Sequence, residues 1–517
     1  MKQLLTILTI IIITSTQAQN NFEKLWTKVE AFELEGKTKS ANEIVATIYK
    51  KAKKKNNSNQ LIKSLLYQSK FALVLQEDAE LLVVQKLEKE ISEADFPTNA
   101  ILQSILADFK WRYLQQHRWQ IYKRTKTTEV INTDFRTWDL NTLFTSIHTD
   151  FKHSIANSSA LQNLPISNFN YILISETETE KLRPTLYDLL ANRALSFFKT
   201  NESRITKPKE QFHIDNDSYF STSKGFTELN IETTDSIFSQ YEVLKTYQKL
   251  ERFHLKTNNT DALVDIYINR LNFVYDNCVN DDYSEELQYQ SLQKTYVNLS
   301  KGNAYATVKA YYAKAIYENA SLKNNPKDRI TALNICNELI TNYPKSEGFT
   351  IANNLKNTIL HKTIRLRSEE IIPINQNSKI LVNFQNIDQL HFAIYKVDYE
   401  HNFYQYNYKN RDSIIKQFFK TERPIKEFST QLPTKKDYFN HSTEVVLPKL
   451  SSGRYIILAT KDASKNTTEL FAYNYQTVSN LVCIESNHHG KKTIQILDRI
   501  SGKPIENAKI KNGRKKE

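Results

Sequence analysis

The stretch SKILVNFQNIDQLHFAIYKVD, residues 378–398, is where the chain changes from helical to strand periodicity. In SKILVNF (378–384) apolar side chains recur at every second position, and QLHFAIYKVD (389–398) contains several β-branched and aromatic residues. A period of two places successive side chains on opposite faces of a strand. The sequence therefore predicts two β-strands here.

Further strand patterns follow towards the C-terminus. TEVVLPKLSSGRYIILATKD (443–462) predicts two strands with a turn region at Pro448 and Gly453, and TELFAYNYQTV (468–478) predicts another. Short strands separated by turn signals are typical of a β-sandwich, which we assign to residues 370–478. The polar, aromatic stretch that begins YEHNFYQYNYKNRD is given no element in this prediction.

Before this change the periodicity is helical, from residue 20 to about 365. In FEKLWTKVEAFEL (22–34) apolar residues recur at steps of three and four, which gives one apolar stripe along a helix. Gly36 then permits a turn, and Ser40 and Glu43 have the spacing of a capping box. The lysine-rich run YKKAKKKNN that follows is interpreted as a solvated helix end and not as a nucleic-acid patch.

A second helical hairpin is clearer. YATVKAYYAKAIYENASLKNN (305–325) predicts one helix, Pro326 suits the first turn of the next helix, and Tyr343-Pro344 predicts a break before a third. The pattern of small residues and proline resembles a tetratricopeptide-like unit. Because such hairpins stack to bury their apolar faces, we predict an irregular helical array over the range 20–365.

The expected fold class is therefore α+β and multidomain. An N-terminal all-α array is followed by an antiparallel β-sandwich and by an incomplete second sandwich, which begins with SNLVCIES and KKTIQILD and is assigned to 479–517. Within the array the polar stretch 199–235 is weakly patterned and is predicted to be a loop or an insertion.

The first nineteen residues, MKQLLTILTIIIITSTQAQ, have the features of a secretory signal peptide, assigned to 1–19. Lys2 supplies the positive charge, Leu4–Ile13 the apolar run and Thr16–Ala18 a small-residue cleavage site. No later segment has the roughly 18 uninterrupted apolar residues of a membrane span, and no cysteine near the cleavage site offers a lipoprotein anchor. We expect an exported chain, periplasmic or extracellular, without a transmembrane segment.

The composition limits the classes of function. Of the 517 residues 40% are hydrophobic, which is enough for sizeable cores and argues against general disorder. The net charge of +13 is spread along the chain. It raises non-specific affinity for anionic surfaces, but it does not by itself predict nucleic acid, and we expect no nucleic-acid partner.

The sequence contains no recognisable pattern for catalysis. It has 8 glycines and lacks a phosphate-binding loop, a Gly-x-Ser-x-Gly motif and a His-Glu-x-x-His motif. His148 and His153 are five apart, which places them on different helix faces, and His488 and His489 are adjacent, so their side chains diverge in a strand. We predict no catalytic, cofactor-binding or metal-binding residue, no cofactor and no enzymatic activity.

Three cysteines, Cys278, Cys336 and Cys483, are too few for a disulfide-dense exported domain. Whether Cys278 and Cys336 form a disulfide is left open, and buried thiols in apolar surroundings are the favoured interpretation. The stretch WRYLQQHRW (111–119) is interpreted as one packed helix face with basic flanks and not as a binding site.

The order of these segments resembles the bacterial alpha-2-macroglobulin family, in the subgroup with a helical N-terminal extension. LRPTLYDLLANRALSFF (182–198) is similar to a recurring segment of the helical region, and LVNFQNIDQLHFAIYKVD and LPKLSSGRYIILA resemble strands of a first macroglobulin domain. LDRISGKPIENAKI resembles the strand–turn–strand that starts the next domain. There Gly502 can adopt positive φ, Pro504 stiffens the exit and Ala508 is expected to pack against the sheet.

The resemblance implies a broad-range endopeptidase inhibitor that acts without catalysis, with proteases as partners of the full-length form. In this family the target protease cuts a bait segment, and some members carry a thioester that captures it. Cys483-Ile484-Glu485-Ser486 has serine where the thioester motif Cys-x-Glu-Gln requires glutamine. We expect a truncated product or fragment without bait and thioester regions, in which 479–517 are poorly ordered or form only a partial sheet on the first sandwich.

An alternative hypothesis rests on the helical array alone. An exported helical-repeat scaffold would bind a protein partner on the concave face of its stacked hairpins. Neither the target protease nor such a partner is identified by the residues themselves.

Overall fold

A computed structural model of the chain confirms the α+β class. The residues that the structure describes are 21–125, 134–173, 177–200, 212–233, 239–279, 281–323, 325–464 and 470–510. The chain divides into two compact units, Met1–Val308 and Lys309–Glu517. Helices form the first unit, and most strands of the second unit form a sandwich.

The first unit consists of consecutive helices, of which the first four are joined by short connections. Their bounds are 21–34 (α1), Thr38–Lys54 (α2), Ser58–Leu75 (α3), Ala79–Glu93 (α4), Thr98–Ile121 (α5), Leu140–Ser154 (α6), Ser158–Gln162 (α7), Thr177–Leu182 (α8), Leu186–Phe198 (α9), Ser223–Glu228 (α10), Ser239–Thr257 (α11), Thr260–Asn277 (α12) and Asp281–Asn298 (α13). Short connections make sequential helices pack as neighbours, as predicted for a helical array.

The apolar stripe predicted for α1 is confirmed. Phe22, Trp26 and Val29 are buried in one cluster with Val45 and Ile48 of α2. Residues three and four apart share one face of a helix, so two amphipathic helices can close this cluster between them.

Helix caps differ from the prediction. Ser40 and Glu43 do not form a capping box, because α2 already begins at Thr38. A capping box is found instead at the start of α9, inside the segment quoted above for its family resemblance. There the Asp188 N–H donates to Thr185 Oγ1, and the Thr185 N–H donates to the Asp188 carboxylate.

The stretch predicted as a loop or insertion, 199–235, is partly helical. Residues 212–233 contain a 3₁₀ turn at Asp217–Phe220 and the short helix α10. Residues 201–211 and 234–235 lie outside the described residues. The loop prediction is therefore correct only in part.

Three further helices precede the strands. They are Asn303–Lys323 (α14), Pro326–Asn342 (α15) and Glu347–Leu360 (α16), and the boundary between the two units falls within α14. Pro326 stands in the first turn of α15, and Tyr343 is the C-cap of that helix. The helices and the break predicted from this stretch are confirmed.

Eight strands form the β-sandwich. Their bounds are Thr363–Ser368 (β1), Ile371–Ile372 (β2), Ser378–Gln385 (β3), Gln389–Val397 (β4), Lys426–Gln431 (β5), His441–Leu447 (β6), Gly453–Thr460 (β7) and Phe471–Val478 (β8). One sheet has the order β1-β3-β6 and the other β2-β8-β7-β4-β5. All neighbours are antiparallel except β2 and β8, which pair in parallel through two residues.

The two strands predicted from residues 378–398 lie in different sheets. The chain crosses from β3 to β4 at Asn386, which has φ of 56°. Ile380 and Val382 of β3 are buried in the same cluster as Leu390 and Phe392 of β4. This cluster is the core between the two sheets, as the alternation of apolar residues indicates.

An additional helix, Tyr408–Thr421 (α17), occupies the stretch for which no element was predicted. Asn407 caps it by accepting a hydrogen bond from the Lys409 N–H. Ile415 and Phe419 of this helix are buried with Tyr395 of β4. The helix therefore covers the face of the five-stranded sheet that points away from the sandwich core.

The C-terminal strands Leu481–His488 (β9) and Lys491–Asp498 (β10) pair only with each other. For the described part, which ends at residue 510, the second expected alternative is found: a partial sheet that is hydrogen-bonded to the first sandwich, from the Ser479 N–H to the carbonyl oxygen of Ile372 and from Arg499 Nη1 to that of Ile371. Gly502 adopts φ of 67°, as expected, whereas Ala508 is exposed and does not pack against a sheet.

None of the helices in the described ranges is long and apolar enough to cross a membrane. The predicted signal peptide, 1–19, lies outside the described residues, and so do the last seven residues, 511–517.

Candidate functional site

A polar groove in the first unit is the largest of the cavities described in this article. It lies between α2, α3 and α4 and has a volume of about 540 Å³. The side chains that line it are Asn42, Ala46, Tyr49, Gln68, Ser69, Ala72, Gln76, Leu82, Val83, Gln85, Lys86, Lys89 and Glu90. Its position follows from the short connections that hold these three helices side by side.

Glu90 is a buried carboxylate in the wall of the polar groove, with 3% of its surface exposed. Tyr49 Oη donates a hydrogen bond to Glu90 Oε1, and Lys53 Nζ donates to the same oxygen at 3.0 Å. Lys53 also pairs with Glu93 at 2.6 Å. Because an unpaired buried charge is costly, these two donors hold the Glu90 carboxylate in one orientation.

Lys86 lies one turn before Glu90 on α4. Its Nζ donates to Gln68 Oε1 and lies 4.8 Å from the centroid of the Tyr49 ring. Burial lowers the pKa of Lys86, and burial together with the Glu90 carboxylate raises the pKa of Tyr49. Among the ion pairs of the described residues, none includes Lys86. Among the described residues, Lys86 is therefore a cation of the groove without a carboxylate in direct contact, although the Glu90 carboxylate lies near enough to stabilise its charge.

This arrangement suits the binding of an anionic group. A concave site with apolar walls and a few converging polar groups is typical of ligand recognition. Ala46, Ala72 and Leu82 supply apolar walls, and Lys86 with Gln68 supplies the polar end. Just beyond Ala72 the chain also exposes a short apolar run, which consists of Leu73, Val74 and Leu75. Exposed apolar groups beside such a groove are typical of protein–protein contacts.

The sequence interpretation missed two residues of this site. Tyr49 and Lys53 belong to YKKAKKKNN, which was interpreted as a solvated helix end, and Lys53 instead joins α2 to α4. The spacing of four residues already places Tyr49 and Lys53 on one helix face, and the same holds for Lys86 and Glu90. The contact between the two helices has no local signal.

The spacing of His148 and His153 correctly predicts their different surroundings, whereas His489 lies in the turn after β9, with φ of 50°, and not in a strand beside His488. In α6, His148 is buried and His153 is exposed, and His488 and His489 are both exposed in the C-terminal hairpin. In the part of the chain that the structure describes, no group of three or more His, Cys, Asp and Glu side chains is placed to hold a metal ion. The absence of catalytic, cofactor-binding and metal-binding residues stays a prediction.

The three thiols have different surroundings. Cys336 is buried, and burial raises its pKa to about 11. Cys278 is half-buried, and neither Cys278 nor Cys336 is part of a disulfide, so the bond that was left open between them is not formed. Cys483 is exposed, so the prediction of a buried thiol is wrong there. Its strand β9 has a partner on one side only.

The tryptophan stretch of α5 is packed at one end. Trp111 is 9% exposed and meets the ring of Phe197 edge-on, with 5.1 Å between the ring centroids. Trp119 is 73% exposed, and the Arg118 guanidinium lies 5.6 Å from its ring. The interpretation as one packed face is therefore correct for Trp111 and wrong for Trp119.

Comparison with known proteins gives only faint structural likenesses, of which two are described here. No protein-family profile and no curated protein sequence matches the chain. The crystal structure of native alpha-2-macroglobulin from Escherichia coli, spanning domains MG0-NIE-MG1, is 11% identical over 27% of this chain and 46% of that one, with a TM-score of 0.19. The CARDB domain of a Pyrococcus furiosus protein, solved in complex with di-metal ions, is 14% identical over 23% of this chain and 92% of that one, with a TM-score of 0.14.

The match therefore spans less than half of the Escherichia coli structure and about a quarter of the present chain. At these scores the likenesses establish neither the family nor an activity. The relation to alpha-2-macroglobulins remains a proposal.

Proposed function

We propose that this chain is the N-terminal portion of an exported alpha-2-macroglobulin-like protein, whose full-length form inhibits endopeptidases by bait cleavage and trapping and catalyses no reaction itself. The observation that carries the proposal is the position of the segments that resemble that family. LVNFQNIDQLHFAIYKVD supplies most of β3 and all of β4, and LPKLSSGRYIILA ends in β7. They are core strands of a sandwich that directly follows the helical array.

The contacts between helices and sandwich in the second unit suit a framework protein. Asn386 Nδ2 donates to the carbonyl oxygens of Ile359 and His361 at 2.8 and 2.9 Å, so the crossing from β3 to β4 is fastened to the end of α16. The Arg329 guanidinium of α15 lies 3.7 Å from the centroid of the Phe439 ring, next to β6. Contacts of this kind hold the helices and the sandwich in a fixed arrangement. They can position a binding surface, and they take no part in a chemical reaction.

The proposal is tested by mixing a full-length form that includes the bait region with active endopeptidases. One protease each of the serine, cysteine, aspartic and metallo classes is used. Co-elution with at least one class in size-exclusion chromatography is expected. In the complex, hydrolysis of a small peptide should continue while a large protein substrate is spared, as expected of an inhibitor that traps its target. If none of the four classes co-elutes, the protein is not a protease-trapping inhibitor.

A second function, an exported scaffold for a protein partner, is favoured by the polar groove. Its directly unneutralised Lys86 and apolar walls suit an extended partner segment rich in glutamate and leucine. The probe is a fluorescent peptide of these two residues, and its control is the same peptide with glutamine in place of glutamate.

We expect Lys86→Met to weaken binding of the glutamate peptide about tenfold, because a charge-assisted hydrogen bond is lost. Lys51→Met is the matched control, since Lys51 is an exposed lysine of α2 that does not line the groove. Its effect should stay below about twofold. If the glutamine peptide binds equally well, the groove does not select an anionic partner. This result leaves the protease proposal untouched.

Export is tested by N-terminal sequencing of the mature protein. Cleavage after Gln19 is expected from the assignment of 1–19 as a signal peptide. A mature chain that retains Met1 and the apolar run would contradict that assignment.

A further inference from the structure

A second cavity lies inside the helical unit, between α3, α5 and α9, and has a volume of about 200 Å³. Most of its lining is apolar, and Ile62, Ile101, Leu186 and Leu190 in its wall are nearly or fully buried. Cavities of about 150 Å³ lined by such residues stay dry and bind small apolar molecules such as benzene. The present cavity therefore has room for a small ligand, and its apolar part favours an apolar chain.

The polar residues of this cavity are Ser104, Asp108 and Arg193. Arg193 Nε donates to Ser104 Oγ at 2.9 Å, and Arg193 Nη2 lies 3.5 Å from Asp108 Oδ2. Asp108 Oδ2 also accepts a hydrogen bond from Arg112 Nε at 3.0 Å. Two guanidinium groups thus share one carboxylate, so this group of side chains has a net positive charge.

Arg193 has donors left for a ligand. Its Nε and Nη2 are engaged, whereas no acceptor among the described residues takes the protons of Nη1. Its side chain is 37% exposed, so it connects the cavity with solvent. The Nη1 group can therefore donate a charge-assisted hydrogen bond to an oxygen of a carboxylate.

We propose that this cavity binds a small amphipathic carboxylate, with its apolar chain among the buried leucines and isoleucines and its carboxylate on Arg193. The volume corresponds to an apolar part of roughly 6 to 9 non-hydrogen atoms, since about 150 Å³ accommodates the six of benzene. The site is separate from the polar groove, and the proposal does not depend on protease binding or on a partner protein.

The test uses octanoate and octan-1-ol as probes, and binding to the purified full chain is measured by isothermal titration calorimetry. The two molecules share the same chain length and differ in charge. We expect saturable binding of both, with octanoate at least tenfold tighter. Arg193→Met should weaken octanoate about tenfold and leave octanol unchanged, because it removes only the charged contact.

Two further variants make the result specific. Arg118→Met is the matched control, because Arg118 is an exposed arginine of α5 that does not line the cavity, and it should change octanoate affinity less than twofold. Ile105→Phe fills the cavity and should abolish binding of both probes. Circular dichroism verifies that each variant is folded. If Arg193→Met does not fold, the proposal is tested by the ratio of octanoate to octanol affinity in the unchanged chain and by the binding measured for Ile105→Phe.

Three outcomes would overturn the proposal. The first is the absence of saturable octanoate binding at millimolar concentration. The second is equal affinity for octanoate and octanol, which would remove the role of Arg193. The third is full binding in Ile105→Phe, which would place the ligand elsewhere on the chain.

Discussion

Replacing Arg270 by methionine is expected to destabilise the helical unit by about 3–5 kcal/mol. Arg270 of α12 is fully buried, and its Nε lies 2.6 Å from Oε1 of the equally buried Glu251 of α11. Its Nη groups donate to the carbonyl oxygens of Tyr219 and Ser221, and its guanidinium carbon lies 4.0 Å from the centroid of the Phe226 ring. One side chain therefore joins α11, α12 and the segment around α10.

The magnitude follows from what the substitution leaves behind. Methionine keeps an unbranched, apolar side chain at the site, so the main loss is electrostatic. Glu251 would remain as a buried, unpaired carboxylate, which typically costs about 3–5 kcal/mol. Each carbonyl oxygen that loses its donor adds up to about 1–3 kcal/mol, although such terms are not additive within one network.

The double variant Arg270→Met, Glu251→Leu separates these contributions. It removes both charges, so it should be more stable than Arg270→Met by about 1–3 kcal/mol. The carbonyl oxygens of Tyr219 and Ser221 stay without their donor in both variants. Arg270→Lys should not rescue the single variant, because one ammonium group cannot reach all these acceptors at once.

The assay is urea unfolding combined with hydrogen exchange, since the two units need not unfold in one transition. In Arg270→Met the largest loss of protection is expected over 217–228, α11 and α12. A loss of stability below about 1 kcal/mol, or a double variant as unstable as the sum of its single changes, would refute the reasoning.

Three further predictions concern other groups. Burial and the neighbouring Lys152 lower the pKa of His148 to about 4, below the value of about 6.5 in an unfolded chain. The contribution of the neutral His148 side chain to stability is therefore complete above pH 6.5 and is lost as the pH falls towards 4, by up to about 3 kcal/mol. In urea titrations at pH 7 and pH 4.5, His148→Phe should reduce this loss of stability. An unchanged pH dependence would contradict the assignment. Because Cys483 is exposed and the pKa of buried Cys336 is raised to about 11, a maleimide should label Cys483 at once and Cys336 only on unfolding, and equal rates at pH 7 would speak against this burial. Asn386→Ala should destabilise the second unit by about 1–3 kcal/mol, because two hydrogen bonds and a residue suited to positive φ are lost. Asn386→Gly should recover the part of this loss that comes from the positive φ. Thermal unfolding measures both variants, and identical stabilities would show that φ has no role.

The elements with strong local periodicity could be predicted. Pro326 and Tyr343-Pro344 separate α14, α15 and α16 as the sequence indicates, and the alternation over 378–398 gives β3 and β4. In these stretches the residues that decide the element are neighbours in sequence, so no distant contact is needed to recognise them. The same local information gives β6, β7 and β8, whereas β1, β2 and β5 were not predicted, and β1 begins at Thr363, inside the range assigned to helices.

The helix α17 was missed, although a local signal existed. Ile414, Ile415, Phe418 and Phe419 recur with helical spacing, and Asn407 is a good N-cap residue. The surrounding tyrosines and polar residues do not distinguish helix from loop. What stabilises this helix is the outer face of the five-stranded sheet, which forms only once the strands have paired.

The pairing of buried charged side chains is the feature that could least be predicted from the sequence. Arg270 and Glu251 are 19 residues apart on different helices, and Tyr219 is 51 residues from Arg270. Taken alone, each charged side chain looks like part of a solvated helix face. The pairing depends on how the helices pack, and that is determined by the whole unit and not by any one window of sequence.

In the helical unit, charged side chains that stabilise the fold differ from those that are available to a ligand in how they are paired. Arg270 and Glu251 neutralise each other, and the guanidinium has further acceptors on the backbone, so this pair fixes geometry and gains nothing from a ligand. Lys86 and Arg193 differ from this pair because each lines a cavity. Among the described residues Lys86 has no carboxylate in direct contact, and Arg193 shares its carboxylate with a second arginine. A cation in a cavity bears a desolvation cost that an incoming anion can offset. We therefore propose these two cavities as the places where an anionic group binds, whereas the pair of Arg270 and Glu251 serves the stability of the helical unit.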